Sequence, residues 1–293
     1  MKRIIRVFPR RTRATPNDNL VAVARRPGFF DKADAIHISV SFTYDMDYAM
    51  KLATQWECVA PVTIGGPATG EKSGEFVPGM YVKQGYTITS RGCPNKCWFC
   101  SVWKREGKTR ELLIRDGWNV LDDNILACST NHIRAVFDML KRQKHKPEFT
   151  GGLEAKRIKP WIAKALFELK PQQLFFAYDT EDDFEPLNEA TKIMHKTGFS
   201  EIAHILRCYV LCGYPKDTLP QAEKRLERTL KIGLLPMAML YKDKTGLNNK
   251  TWSRFVRQWA RPAIIYANQK RKQQEQLSME NHVTKSIGFG LVD

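Results

Sequence analysis

Three cysteines crowd into eight residues at Cys93, Cys97 and Cys100, within "TSRGCPNKCWFCS" (89–101). The spacing is C-x3-C-x2-C, with Trp98 and Phe99 ahead of the last thiol. Grouped thiolates are soft ligands that select zinc or iron–sulfur clusters. The chain holds seven cysteines, an odd number, and at 293 residues it is large enough to fold on a hydrophobic core, so a disulfide scaffold is not expected. Structural zinc wants four ligands, usually as two close pairs, and no second pair of that spacing exists. Cys208 and Cys212 are four apart on an expected strand, about 13 Å from each other, too far to pinch one ion; small apolar core residues are their default reading. Cys128 or His132 could complete a zinc site, so that reading stays open. Alternatively, three thiolates bind three irons of a cubane and leave the fourth without a protein ligand.

These residues must be positioned by elements that the hydropathy pattern outlines. Residues 1–30 read as basic and irregular, broken by Pro9, Pro16, Pro27 and Gly28. "AIHISVSF" (35–42) alternates like a strand, "DYAMKLATQW" (47–56) has helical spacing, and "CVAPVTIGGP" (58–67) reads as a buried strand ending in a turn. The loop 68–79 makes a natural boundary. Strand and helix then alternate: strands at 81–89, 118–127, 147–155, 173–180, 203–213 and 234–241, helices at 131–143, 160–170, 184–198 and 219–233. Such βα units imply a parallel sheet wound into a partial barrel, and active groups on that fold sit at the C-terminal ends of the strands. The cysteines, Asp122, Asp123, Gly151, Gly152, Asp179 and Gly213 all fall at such ends. The predicted fold is therefore α/β, a partial (βα)6 TIM-like barrel (81–241) after a small Rossmann-like β-α-β region (1–80), with a basic extension at 242–293.

Lys and Arg outnumber Asp and Glu 47 to 31, a net charge of +16. The excess suits a polyanionic partner, with nucleic acid the first candidate. No apolar run approaches the ~18 residues of a membrane span, and "MKRIIRVFPRR" does not make a signal peptide, so a cytoplasmic protein with no membrane partner is expected. In "TWSRFVRQWARPAIIY", Trp252, Phe255 and Trp259 share one helix face flanked by arginines. Packing onto the barrel is the favoured reading of that face, and base stacking the alternative.

"CPNKCWFC" resembles the signature of the radical S-adenosylmethionine (radical SAM) enzymes, including the aromatic before the last cysteine. The resemblance extends over residues 85–241, because a partial (βα)6 barrel is that family's core. It implies a 4Fe-4S cluster on Cys93, Cys97 and Cys100, with S-adenosylmethionine chelating the open iron. One electron from an external flavodoxin- or ferredoxin-like donor then cleaves the sulfonium, and the 5′-deoxyadenosyl radical abstracts hydrogen from a substrate. By the same resemblance, Asp122 and Asp123 would receive the methionine amino group and Arg207 the carboxylate. Asp179 would bind ribose, Phe99 would lie against adenine, and Gly213 would let backbone approach the cofactor. "TGGLEA" (150–155) sits on the third strand, so it is not the family's Gly-Gly-Glu motif, although Glu154 could line the substrate cavity.

The stretch "ADAIHISVSFTYDMDYAMKLA" followed by "VTIGGPATG" is similar to the latter half of the cobalamin-binding domain that precedes some radical SAM barrels. The cobalt-ligand motif is missing: His37 is followed by Ile-Ser-Val. The expectation is a degenerate region without cobalamin, with His37 a buried or strand-end histidine. The function expected is that of a radical SAM enzyme with an unidentified substrate, a nucleic acid or phosphorylated metabolite being favoured. The alternative is a non-catalytic nucleic-acid-binding protein stabilised by zinc or a cluster.

Overall fold

The computed structural model describes residues 2–243, 245, 246, 249–271 and 274. Its first strand, β1 (Ile4–Phe8), lies where irregular chain is expected. Ile5, Val7 and Phe8 are buried, and so is Arg6, at 6% exposure. The Arg6 guanidinium donates to the carbonyls of Gly79 and Met80 at 3.2 Å and pairs with Asp18. A paired arginine inside an apolar run thus conceals a strand, because a buried charge is tolerated when it is paired, as both Arg6 terminal nitrogens are, although its Nε has no partner. Beyond it come β2 (Val21–Val23), β3 (Ala35–Ser39), α1 (Met46–Trp56) and β4 (Val62–Gly65). These strands form an all-parallel sheet in the order β2-β1-β3-β4, with Leu52 and Trp56 of α1 sealing its core. The N-terminal region is therefore a four-stranded sheet, one in which the expected β-α-β unit is only the second half.

The remaining elements are β5 (Tyr86–Thr87), β6 (Ser90–Arg91), α2 (Val102–Arg105), β7 (Arg110–Glu111), β8 (Asn119–Val120), α3 (Thr130–Lys141), β9 (Glu148–Phe149), α4 (Pro160–Glu168), β10 (Gln173–Tyr178), α5 (Phe184–Thr197), β11 (Leu206–Cys212), α6 (Leu219–Lys231), β12 (Leu235–Leu240) and α7 (Lys250–Gln258). A second, six-stranded sheet runs β5-β8-β9-β10-β11-β12, all parallel and in chain order. In that arrangement every strand ends at the same edge of the sheet, so the loops that follow the strands become neighbours. The short antiparallel pair β6-β7 brackets the cysteine loop.

Alternation along β11 divides its two faces. Leu206, Cys208, Val210 and Cys212 are buried in the main core, while Arg207, Tyr209 and Leu211 point to the other side. Both cysteines are fully buried small side chains, and burial raises both thiols, Cys212 to about 12. The helices against this face have defined starts. Thr218 and Gln221 close a capping box on α6, and the Ser129 hydroxyl accepts from the His132 amide at the start of α3. Helix α7 packs on β12, with Phe255 and Trp259 inside the main core and Trp252 against it. Its aromatic face is therefore core rather than a stacking surface. The part of the basic extension beyond residue 274 lies outside the described residues. Among the described residues no helix is long and apolar enough to cross a membrane.

Candidate functional site

The cysteine loop is built on bonds that leave its thiols alone. Gly92 adopts φ +88°, and a Cβ there would overlap the Lys108 carbonyl, so the turn into Cys93 requires glycine. The Gly92 amide donates to Asp123 at 2.9 Å, and the Cys93 amide donates to the Gly107 carbonyl at 3.1 Å. Behind α2, the Glu106 carboxylate is sealed from solvent. It accepts from Ser73 (hydroxyl 2.5 Å), Arg105 (3.0 Å) and Arg110 (2.9 Å). Burial alone would raise the Glu106 carboxyl, but these donors outweigh it and hold it down at about 2.

The thiols themselves gather close enough to feel one another. Burial, followed by the charges of Cys100 and Cys93, pushes the Cys97 thiol up to about 11, with Asp183 and Asp179 adding to the effect. Cys100 is raised chiefly by burial, and Cys93 and Asp123 contribute. Partly buried thiols that oppose one another's ionisation are poor isolated nucleophiles, and a cationic centre would relieve them. Among the described residues no three His, Cys, Asp or Glu side chains stand close enough to hold one metal ion. Cys128 and His132, the candidates for completing a zinc site, have neighbours of their own, although the buried His132 Nε2 has no partner. Cys128 is coupled to Ser90 and Asp122, and His132 lies 3.6 Å from Glu111.

An amide outside the expected set touches the trio directly. Asn124, following β8, donates from Nδ2 to the Cys93 sulfur at 3.4 Å and to Glu154 at 2.7 Å. Asn124 is 4% exposed, and its Oδ1 has no partner. Glu154 also engages Asn95 of the cysteine loop and Arg157, and together these donors lower its carboxyl against the opposing effect of burial. The loops after β8 and β9 are thereby tied to the thiols. The signal for Asn124 was its place directly after the two aspartates in "VLDDN" (120–124).

The other expected residues divide by position. Asp122 is 2% exposed and accepts from the Thr89 amide (2.6 Å), the Thr89 hydroxyl (2.7 Å) and the Ser90 hydroxyl (2.7 Å). Both its oxygens are thus taken in fastening the strand that enters the cysteine loop, although burial still raises its carboxyl. Asp123 accepts from Gly92 and pairs with Arg91 at 3.4 Å. Asp179 follows β10, and burial, then Asp183, lifts its carboxyl to about 7. It is Asp183, not Asp179, that caps the next helical turn, accepting from the Thr180 amide at 2.8 Å. Gly213 follows β11 at φ +75°, with Trp252 where a side chain would go and its amide donating to Asp217 at 2.8 Å.

Phe99 lies edge-on to Trp98 at 5.3 Å. Trp98 in turn meets Tyr214 after β11 at 5.6 Å and Tyr241 after β12 at 5.8 Å. A loop from one edge of the six-stranded sheet thus touches the loops at its other edge.

Arg207 is not brought to this site. It is the second residue of β11, level with Phe175 and Leu235, about 16 Å from the strand's other end. There it donates to the His204 carbonyl at 3.1 Å and lies over the Phe175 ring. The expectation of a carboxylate-binding arginine fails because a strand's first residues and the loop after it lie at opposite edges. His37, on β3, is hydrogen-bonded through Nδ1 to the Tyr81 hydroxyl at 2.6 Å.

No protein-family model matches this chain, and no curated protein matches it.

Proposed function

We propose that the chain is a radical S-adenosylmethionine enzyme whose six-stranded sheet is a partial (βα)6 barrel. The observation that supports the reading is the gathering of Cys93, Cys97 and Cys100 in the loop after β5 and β6, beside a parallel sheet in chain order, with the Asn124 amide on the Cys93 sulfur. The contacts from Trp98 to Tyr214 and Tyr241 support the curl of that sheet toward closure. A 4Fe-4S cluster on the three thiolates would supply the electron, received from a flavodoxin- or ferredoxin-like donor, that cleaves S-adenosylmethionine to a hydrogen-abstracting 5′-deoxyadenosyl radical.

This chain's residues have separable tasks in that reading. Asp122 and Asp123 position the loop through Thr89, Ser90 and Gly92. Asn124 donates to sulfur, as outer hydrogen bonds to cluster ligands do, and keeps an unpartnered oxygen for an ammonium donor. Asp179, free of capping duty, is an acceptor for hydroxyl groups at the end of the fourth sheet strand. Phe99 and Trp98 give the site an aromatic wall.

The test is anaerobic reconstitution with iron and sulfide, followed by incubation with S-adenosylmethionine and dithionite. We expect broad visible absorbance, about four irons per chain, and 5′-deoxyadenosine, all lost in a Cys93→Ala, Cys97→Ala, Cys100→Ala variant. Zinc without sulfide, or a cluster that never yields 5′-deoxyadenosine, would sink the proposal in favour of a non-catalytic nucleic-acid-binding protein.

A further inference from the structure

We propose that the rim beside the cysteine loop is a binding track for single-stranded nucleic acid. The track starts at Phe42 and Tyr44, in the connection after β3, and crosses Lys242 and Tyr241 after β12. It ends at Trp98 in the cysteine loop and Tyr214 after β11. The rings form a continuous series: Phe42 stacks on Tyr44 at 5.2 Å and 11°, and the Lys242 ammonium lies 4.9 Å from the Tyr44 centroid. Tyr241, the neighbour of Lys242, meets Trp98, which meets Tyr214. Trp98 is 52% exposed and Phe42 38%, so these rings are not core.

Cations accompany the rings throughout. The Arg10 guanidinium lies 5.0 Å from the Tyr44 centroid and 5.7 Å from that of Phe42. The loops of Trp98, Tyr214 and Tyr241 each carry an exposed lysine within two residues: Lys96, Lys216 and Lys242. Two of the nearby carboxylates are paired, Asp45 with Arg10 and Asp217 with Arg225, while Asp243 is hydrogen-bonded to Thr245 and Gly246 and Asp47 is exposed. Flat exposed rings interleaved with cations are what base stacking plus phosphate neutralisation requires. An acidic protein partner would use the lysines but would leave the exposed rings without a role. The N-terminal sheet gains a task as well, since the connection after β3 forms one wall of the track. Binding rests on this surface alone. That the bound strand is the substrate rests on the function proposed above.

The experiment is fluorescence anisotropy with the full reconstituted chain and a labelled single strand of about 12 nucleotides, against its duplex. Neither S-adenosylmethionine nor reductant is present, so the result is independent of 5′-deoxyadenosine formation. We expect the single strand to bind more tightly than the duplex. With three unpaired cations engaged, Lys96, Lys216 and Lys242, log K should fall with log salt at a slope of about −2. A Phe42→Ala, Tyr44→Ala variant should lose about tenfold or more in affinity. Phe42→Leu, which keeps the apolar volume, should lose affinity without altering the circular dichroism spectrum. Lys96→Gln with Lys242→Gln should flatten the slope, while Lys164→Gln with Lys196→Gln, on the outer helices α4 and α5, should change nothing. Equal losses from the outer lysines, no loss on removing the rings, or binding of acidic proteins in place of the strand would overturn the proposal.

Discussion

The Asn124 side chain donates to the Cys93 sulfur at 3.4 Å while its own oxygen, sealed from solvent, meets no donor. If Cys93 ligates the proposed cluster, this hydrogen bond favours the more negative reduced state, so its loss should lower the reduction potential. Asn124→Ala is expected to retain iron and sulfide, to shift its midpoint negative in an electron-paramagnetic-resonance redox titration, and to slow 5′-deoxyadenosine formation about 10- to 100-fold. An unchanged midpoint would show that Asn124 does not tune the centre.

Glu106 supplies a pH prediction. Its carboxyl is held at about 2, below its ordinary 4.5. A depressed acid contributes stability that is fully present above the unfolded value and lost as pH falls through the folded one. Glu106→Gln should therefore be markedly less stable than wild type at pH 7. The gap in urea midpoints should narrow between pH 4.5 and 2. A gap that stays constant over that window would show that the Ser73–Arg105–Arg110 clamp is not electrostatic.

Gly92→Ala tests the turn into the first cysteine. Left-handed backbone and the overlap with the Lys108 carbonyl should together cost about 1–3 kcal/mol. The expected outcome is a lower melting temperature and slower cluster incorporation. Gly107→Ala, also left-handed but with open space around its Cβ, should cost about 1 kcal/mol. Equal behaviour of the two variants would remove the steric argument.

The aromatic face of α7 should behave as core. Phe255→Ala or Trp259→Ala is expected to destabilise the chain by about 3–5 kcal/mol in equilibrium denaturation. Truncation at residue 242 should yield aggregated protein. A soluble, cooperatively folding truncation would return α7 to the status of an appendage.

What could be read from the sequence follows from how local the cause of each feature is. Strands such as Leu206–Cys212 alternate because one face meets helices, and that alternation is visible in one dimension. The cysteine trio is legible because its spacing is local. Strand β1 escaped notice because Arg6 finds its partners at Asp18, Gly79 and Met80, which no window around residue 6 contains. Strands β8 and β9 are only two residues long, shorter than their apolar runs, since the chain turns at once into the Asp122 and Gly151 loops, whose backbones lie against each other. Residue type alone suggests Arg207 for the site, whereas its place along the strand sets it at the opposite edge. Asn124 became visible only when three loops distant in sequence were brought to one edge.

If the cysteine loop holds the proposed cluster, its fastening by Glu106, Asp122, Asp123 and Gly92 bears on the life of the protein under iron starvation. Because none of these bonds uses a thiol, the loop would keep its frame without the cluster, and the chain would not need to unfold on losing it. Repair then amounts to refilling a standing socket, at a rate set by delivery of iron and sulfide rather than by refolding.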